Sequence, residues 1–377
     1  MVIENLNDVP HFGFGMMRLP LLDPDDVTNI DIEQVCRMAD VFMEHGFTYF
    51  DTAYPYHKGY SERAVKEVLV NRYDRESFLL ADKLPAWSLH EKEDVERIFN
   101  EQLERTGAGF FDFYLLHSVE KQWYPIYEKY DCFNWALKKK EEGLIRHFGF
   151  SYHDDPELLD MILTAHPEVE FVQIQMNYLD WENPVVQAHA NYDVCRKHGV
   201  YVNVMEPVKG GTLAALPEKE TEILRKVNPD GSTASWAIRF VLSHEGMLTV
   251  LSGMSSMDQM NDNMRTVSDF HPLNDQENKA VHEVVSSMLD KPAIGCTACR
   301  YCVDGCPMRI TIPELFRAMN SYTMYGDNNR ARGYYKAAVS GDHARASDCI
   351  QCGRCETSCP QHLPIRTLLE KVKDVFD

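Results

Sequence analysis

The sequence predicts an α/β protein in two parts: a (β/α)8 barrel of the TIM type over residues 1–290, then a small, mainly α-helical domain over residues 291–377. Three observations carry that prediction. Short β-rich runs alternate with amphipathic helical stretches over the first two-thirds of the chain, the pattern of strand–helix units repeated around a parallel sheet. Eight such runs occur, the number that closes a barrel. Eight of the eleven cysteines lie between residues 296 and 359, in a stretch where the charge balance also reverses.

Taken in order, the candidate strands are residues 12–16, 49–52, 78–83, 112–116, 145–151, 171–176, 201–206 and 248–251. The helical stretches between them each carry one apolar face: Val35, Met38, Ala39 and Phe42 in 31–45, and Val95, Ile98, Phe99 and Leu103 in 94–105. The same alternation also builds open sheets; the count of eight strands is what favours closure. A polar, helix-like stretch from residue 269 ends in Lys291-Pro292, which sets the domain boundary at 290/291.

With 377 residues, 44% of them hydrophobic and 25% charged, the composition is that of a soluble globular chain and excludes wholesale disorder, collagen and coiled coil. A net charge of -20 repels phosphate backbones and anionic lipid, so neither nucleic acid nor membrane is expected as a partner. No run approaches the ~20 apolar residues of a membrane span. The first ten residues carry Glu4 and Asp8 where a signal peptide needs positive charge, so the expected location is the cytoplasm. Cysteines in such a chain point to metal or redox chemistry rather than disulfides. Cys36, Cys132 and Cys195 are scattered through helical stretches and read as buried, inert thiols.

The other eight form two identical runs. Cys296, Cys299, Cys302 and Cys306-Pro307 have the spacing C-x2-C-x2-C-x3-C-P, and Cys349, Cys352, Cys355 and Cys359-Pro360 repeat it. This is the iron–sulfur run of two-cluster bacterial ferredoxins, in which the fourth cysteine of each run ligates the other cluster. The expectation is therefore crossed: one 4Fe-4S cluster on Cys296, Cys299, Cys302 and Cys359, another on Cys349, Cys352, Cys355 and Cys306. Structural zinc, which takes C-x2-C pairs in fours, is the alternative. The region resembles the dicluster ferredoxin domains appended to many anaerobic oxidoreductases. Its long link between the runs, with helix-like 313–319 and tyrosine-rich 322–335, suits an α-helical variety. The same ligands serve either electron transfer or a purely structural role. Residues 291–377 hold 12 Lys or Arg against 9 Asp or Glu, leaving 26 basic and 49 acidic residues before them. The cations either compensate anionic clusters or form a docking surface for an acidic carrier.

At the ends of successive early strands stand Asp51 and Tyr56, Lys83, and His117. In a barrel these ends converge on one mouth, where such enzymes place their chemistry. A tyrosine hydroxyl with a pKa near 10 is a poor acid, and an ammonium held by a carboxylate would lower that pKa while a histidine orients a carbonyl oxygen. Tyr54 is an alternative to Tyr56 in that role. At these residues the chain is similar to the aldo-keto reductase family, whose tetrad is Asp, Tyr, Lys and His with Tyr five residues after Asp. Agreement extends from Phe12-Gly13-Phe14-Gly15 through Gly149-Phe150-Ser151 and Val172-Gln173 to Asn263. The resemblance implies carbonyl reduction with NADPH or NADH. Ser151 and Gln173 would bind the carboxamide, Gly210 and Gly211 would let the seventh loop approach the cofactor, and Ser252, Gly253, Ser255, Gln259 and Asn263 would meet its phosphate and adenine ends.

Three positions depart from the family: Tyr152 stands for the usual Asn, the seventh strand ends in Met205-Glu206-Pro207 without the aromatic residue that stacks on nicotinamide, and Gln259 replaces an Arg gripping the 2'-phosphate. The choice between NADH and NADPH is thereby left open. Arg18 faces either a phosphate or acidic substrate, or a salt-bridge partner. Trp87, Trp123, Tyr124 and Tyr152 either line a substrate site for an aromatic or cyclic carbonyl compound or pack in the core. A hydride carries two electrons and a 4Fe-4S cluster takes one, so traffic between them needs a splitter such as FMN in the barrel's phosphate site. The leading reading is an NAD(P)H-linked carbonyl reductase accompanied by two clusters, acting on a small-molecule carbonyl substrate. The alternatives are an electron-transfer oxidoreductase served by a ferredoxin or flavodoxin, and a non-enzymatic redox sensor.

Overall fold

A computed structural model describes residues 5–24, 26–184, 186–289, 293–325 and 329–377. Eight strands form a closed, all-parallel barrel: β1 (Phe12–Gly15), β2 (Tyr49–Asp51), β3 (Leu79–Pro85), β4 (Phe111–Val119), β5 (Ile145–Tyr152), β6 (Phe171–Gln175), β7 (Tyr201–Met205) and β8 (Met247–Gly253). Closure is made where Phe12 pairs with Val250 and Gly15 with Gly253, so the open-sheet alternative is overturned. Every predicted strand is present. The ends differ most at β4, which runs past residue 116 to Val119, because all nine of its residues are buried and no change to polar residues marks its end.

Period-two alternation sorts the strand residues. Outward-facing Phe14, Phe50, Leu80, Tyr114, Phe148, Val172 and Val204 meet Val35, Phe42, Ile98, Phe99 and Ile162 from the helices in one continuous apolar layer. Inward-facing Tyr49, Leu79, Phe113 and Phe171 fill the lower lumen, closed by Leu6 and Val9 from the N-terminal segment. The lumen is tight at this level: a Cβ on Gly13 would stand 2.7 Å from Leu251 and 2.9 Å from Tyr49. The two helices singled out from the sequence span Ile32–Glu44, capped by the Asp31 carboxylate on Gln34 N, and Glu93–Thr106, stopped by Gly107 at φ 67°.

The chain separates into two compact units, Met1–Pro207 with Ala237–Pro272, and Val208–Trp236 with Leu273–Asp377. The boundary anticipated at 290/291 lies outside the described residues. In the structure the helix Asp275–Leu289 sides with the second unit, where Ser287 donates a hydrogen bond of 2.6 Å to Glu220 from the helix Glu218–Arg225. Beyond residue 293 the described chain is helical, with helices Tyr301–Asp304, Ile312–Tyr325, Asn329–Ala338, Arg354–Thr357 and Ile365–Phe376 around a core of Ile312, Leu315, Phe316, Ile365, Leu369 and Val372.

This helical region is an internal repeat with an offset of 53 residues. Helix Tyr301–Asp304 recurs as Arg354–Thr357, and Ile312 and Ile365 begin the two longer helices. The left-handed residues recur in register: Ala298 (φ 55°) with Gln351 (59°), Arg300 (69°) with Gly353 (77°), and Arg309 (59°) with His362 (48°). Among the described residues no helix is long and apolar enough to cross a membrane.

Candidate functional site

Three strand ends build the mouth of the barrel. Lys83 on β3 is fully buried, and its Nζ donates to both Asp51 oxygens at 2.7 Å and to the Thr52 carbonyl at 2.7 Å. The same nitrogen stands 3.5 Å from Tyr56 Oη and 4.9 Å from the centre of its ring. An ammonium has three protons to donate, and the three shorter bonds engage them, so Lys83 acts on Tyr56 mainly as a nearby charge. Tyr54, the alternative, is occupied elsewhere: its hydroxyl donates to Glu101 at 2.8 Å, under the Arg105 guanidinium.

Tyr56 is presented by a short turn, Tyr56–Gly59, in which His57 and Lys58 take left-handed φ values of 51° and 56°. His57 holds that turn to the first barrel loop. Its Nε2 accepts from Leu19 N at 3.3 Å, which assigns the ring proton to Nδ1, and Nδ1 donates to Val27 O at 2.6 Å. His117 on β4 meets Tyr56 edge-on, with ring centres 6.0 Å apart, and lies 5.1 Å from Trp87, which in turn packs on Trp123 at 5.9 Å.

Burial dominates the electrostatics. It holds His117 well below the usual histidine range, with Lys83 and His153 adding to the effect, so the ring is neutral and offers an N–H. Burial likewise pushes the Tyr56 phenol well above 10, with Asp51 and Glu206 raising it further and Arg18 opposing. The lowering expected from Lys83 is outweighed here, and the two Asp51 oxygens at 2.7 Å offset part of the ammonium's charge.

Sequence reasoning missed the side chains that hold these groups in place. Tyr127 Oη lies 2.8 Å from Leu84 O and 2.6 Å from His117 O as donor and accepts from Ala86 N at 3.0 Å, stapling the ends of β3 and β4 together. On the outer face of β3, Gln102 donates to Lys83 O at 3.1 Å, and Asp82 accepts from Lys83 N at 2.8 Å. The apolar runs around Asp82 and Tyr127 were the available signal, since a polar group amid them needs a buried partner.

The candidate cofactor groups divide between the units. In the first, Ser151 is buried and its Oγ accepts from Ser118 N at 2.7 Å. Gln173 is buried with long contacts only among those resolved, donating to Met205 Sδ at 3.6 Å and accepting from Asn203 at 3.4 Å. A buried amide so loosely held suits a carboxamide guest. Asn263 donates to Ser252 Oγ at 2.9 Å, Ser255 N donates to Gln259 Oε1 at 2.8 Å, and Ser256 caps the helix Met257–Ser268. These backbone amides and hydroxyls at a helix start suit phosphate. Arg18 packs over Gly253, where a Cβ would lie 3.1 Å from its Cδ, and pairs with Glu206 at 2.9 Å. Its salt bridge is thus part of the barrel mouth, and Glu206 holds it from a left-handed φ of 58°.

Gly210 and Gly211 belong to the second unit. Gly210, at φ 60°, packs so closely on Thr297 that a Cβ would stand 2.7 Å from its carbonyl oxygen. Tyr152 is buried with its hydroxyl on the Asp155 carbonyl, and Tyr124 packs edge-on to Phe133 and His166, so of the four aromatic residues considered for the substrate only Trp87 and Trp123 stack beside His117.

The eight cysteines line two cavities. Cys296, Cys299, Cys302 and Cys359 surround the first; Cys306, Cys349, Cys352 and Cys355 surround the second; Ile312 forms part of both walls. Each cavity thus takes three cysteines from one run and the fourth from the other. A single zinc needs four thiolates at about 2.3 Å from one centre. Among the described residues no group of three or more His, Cys, Asp or Glu side chains gathers around a point in that way, whereas a cavity ringed by four cysteines fits a larger cluster. Burial pushes Cys296 up to about 12 and Cys355 to about 11, so a bound metal would have to stabilise the thiolates. Arg300 lines the first cavity, and Arg354 and Arg366 the second.

Two family models match successive parts of the chain. The family model of the aldo/keto reductase family matches residues 11–286, and that of the 4Fe-4S dicluster domain matches residues 295–363. An uncharacterized oxidoreductase of Bacillus subtilis, YqkF, is 21% identical over 306 residues, covering 73% of this chain and 92% of its own. A holo-form aldo-keto reductase of Bacillus halodurans superposes with a TM-score of 0.59 at 26% identity, over 73% of this chain and 91% of that one. An aldo-keto reductase of Klebsiella pneumoniae, solved in complex with NADPH, shares the fold with a TM-score of 0.56 at 19% identity, over 74% of this chain and 91% of that one.

Proposed function

The chain belongs to the aldo/keto reductase family and carries a 4Fe-4S dicluster domain, and on that premise we propose that it reduces a small carbonyl compound with NADPH or NADH, Tyr56 supplying the proton. The observation that carries this reading is the buried array of Lys83, Asp51 and Tyr56, with Lys83 Nζ 3.5 Å from Tyr56 Oη, beside a neutral His117. Bound nicotinamide supplies a hydride to the carbonyl carbon. The chain's own residues do the rest. The N–H of His117 orients the carbonyl oxygen, and Tyr56 Oη gives its proton to that oxygen as negative charge develops there. The Lys83 charge then favours the phenolate that remains until water reprotonates it.

Ser151 and Gln173 would hold the carboxamide, and the helix start at Ser256, with Ser252, Ser255, Gln259 and Asn263, the phosphates. Arg18 stands between that loop and Glu206, so a phosphate would compete with Glu206 for it. The two cavities would hold two 4Fe-4S clusters, which accept and release single electrons. Their coupling to the barrel, through FMN or another splitter, belongs to the same proposal.

Tyr56→Phe tests it. Carbonyl reduction driven by NAD(P)H should fall by about 10²–10⁴, the usual worth of a positioned general acid, while the clusters keep their EPR signals. Turnover at the wild-type rate would reject Tyr56 as the acid.

A further inference from the structure

The two halves of the cysteine repeat can be overlaid by their 53-residue offset, which sets Thr297 against Ile350, each directly after the first cysteine of its run. Each lines its own half's cavity. Their surroundings are opposite. Thr297 is 2% exposed, because the segment 209–211 of the same unit lies on it: Gly210 approaches its carbonyl with no room for a Cβ, and the Lys209 side chain reaches Gly295. Ile350 is 59% exposed, one of five large apolar side chains so placed among the described residues. Cys352, two residues on, is also exposed, whereas Cys299 at the equivalent position is half-buried. The first half thus has a polypeptide seated on this face, and the second half presents the same face bare, apolar and at the rim of a cluster cavity.

We propose that this face, centred on Ile350, docks a small acidic one-electron carrier protein, which passes electrons singly to the cluster site of Cys306, Cys349, Cys352 and Cys355. The proposal rests on the reading that the clusters take part in electron traffic. The transfer is balanced in itself: the carrier's reduced centre loses one electron, the oxidised cluster gains it, and no bond or proton moves.

The chemistry of the rim selects that partner. Arg354 lines the same cavity and is exposed, and Arg345 is exposed just before the run, while Arg366 is paired with Glu356 at 2.7 Å. The surrounding domain is the basic part of an acidic chain, with 12 Lys or Arg against 9 Asp or Glu over residues 291–377. One apolar anchor inside a charged rim is the make-up of a small, fast-exchanging interface, in which charge sets the rate of encounter. A second copy of this chain fits less well, because a two-fold contact would set Arg354 against Arg354.

The test uses the cluster-loaded protein under anaerobic conditions, mixed in stopped flow with a chemically reduced acidic bacterial ferredoxin. Wild-type protein should be reduced at a rate that falls with added salt. Ile350→Glu and, separately, Arg354→Glu should each lower the second-order rate about tenfold or more, with both cluster EPR signals still developed by dithionite. Measuring those signals in each variant tells loss of docking from loss of cluster. Wild-type rates in both variants would overturn the docking site while leaving electron traffic standing. Failure of the wild-type protein to accept electrons from the ferredoxin, although dithionite reduces it, would overturn the electron-traffic reading and the proposal with it. A wild-type dimer that Ile350→Glu dissociates, with the ferredoxin rate unchanged, would assign the face to a second copy instead.

Discussion

Around Lys83 each charge meets its counter-charge within the protein: the ammonium has both Asp51 oxygens and the Thr52 carbonyl at 2.7 Å. Around the eight cysteines the protein provides cavities and walls but opposes the ionised form its guests require, pushing Cys296 up to about 12. The barrel mouth is thus complete as folded, and the cysteine region is complete only with iron. The physical lesson is that a site of paired charges contributes to its own scaffold, whereas a site of buried thiols borrows stability from metal binding.

That contrast is most easily broken at the cysteines, where the largest effect is expected. Cys359→Ser should abolish the same EPR signal that Cys296→Ser abolishes and halve the bound iron, while Cys306→Ser should remove the other signal. Loss of one and the same signal in Cys296→Ser and Cys306→Ser would overturn the crossed grouping seen in the cavities. In all three variants the barrel strands should keep their amide protection, because none of their buried contacts depends on iron. Hydrogen exchange over residues 293–377, in contrast, should rise sharply.

In the barrel the matching perturbation is Asp51→Asn. It leaves Lys83 buried without its carboxylate, and breaking one side of a buried ion pair costs about 3–5 kcal/mol. The thermal midpoint of the barrel should drop by several degrees while the cluster signals remain unchanged. A variant as stable as the wild type would mean that water or a shifted Lys83 compensates, and that the mouth is less self-contained than its distances imply.

The two regions also differed in how far they could be read from sequence. Eight strands were visible because core-facing residues recur at period two and helices intervene, yet the end of β4 was not, since a strand buried throughout shows no polar boundary. The cysteine groups were legible from spacing alone, since ligation fixes the intervals. The mouth was legible through family likeness: Asp51, Lys83 and His117 do fall together, but Tyr56 could not be told from Tyr54 until Glu101 was seen to occupy the latter. Long-range partners carry no local mark. Glu206 as the mate of Arg18, Tyr127 as the staple of β3 and β4, and Thr297 beneath Gly210 all join residues far apart in the chain.

One pair in the barrel departs from the rule of matched charges and yields the smallest predicted effect. Asp82 and Glu62 are both fully buried behind Lys83, and each has one carboxyl oxygen without a hydrogen-bond partner, Asp82 Oδ2 and Glu62 Oε1. The other oxygens are satisfied, by Lys83 N at 2.8 Å and by Arg105 at 2.8 Å. Two carboxyls that face each other in this way hold one proton between them. Burial and the neighbouring carboxylate push Asp82 well up, and burial pushes Glu62 from 4.5 to about 7. Since the folded pKa lies above the unfolded one, the folded state holds more protons across that window. Stability therefore falls as pH rises from about 4.5 to about 7 and is not penalised below it. Asp82→Asn removes the acid that burial and Glu62 push well up, and with it that acid's excess proton in the folded state, while Glu62 keeps Arg105 and gains an amide donor. Urea unfolding followed from pH 4.5 to 7 should then show a shallower decline than in the wild type, by at most about 1.4 kcal/mol per pH unit for the one proton involved. An unchanged slope would mean that the two acids do not share a proton, and that the self-contained character of the barrel extends to this pair as well.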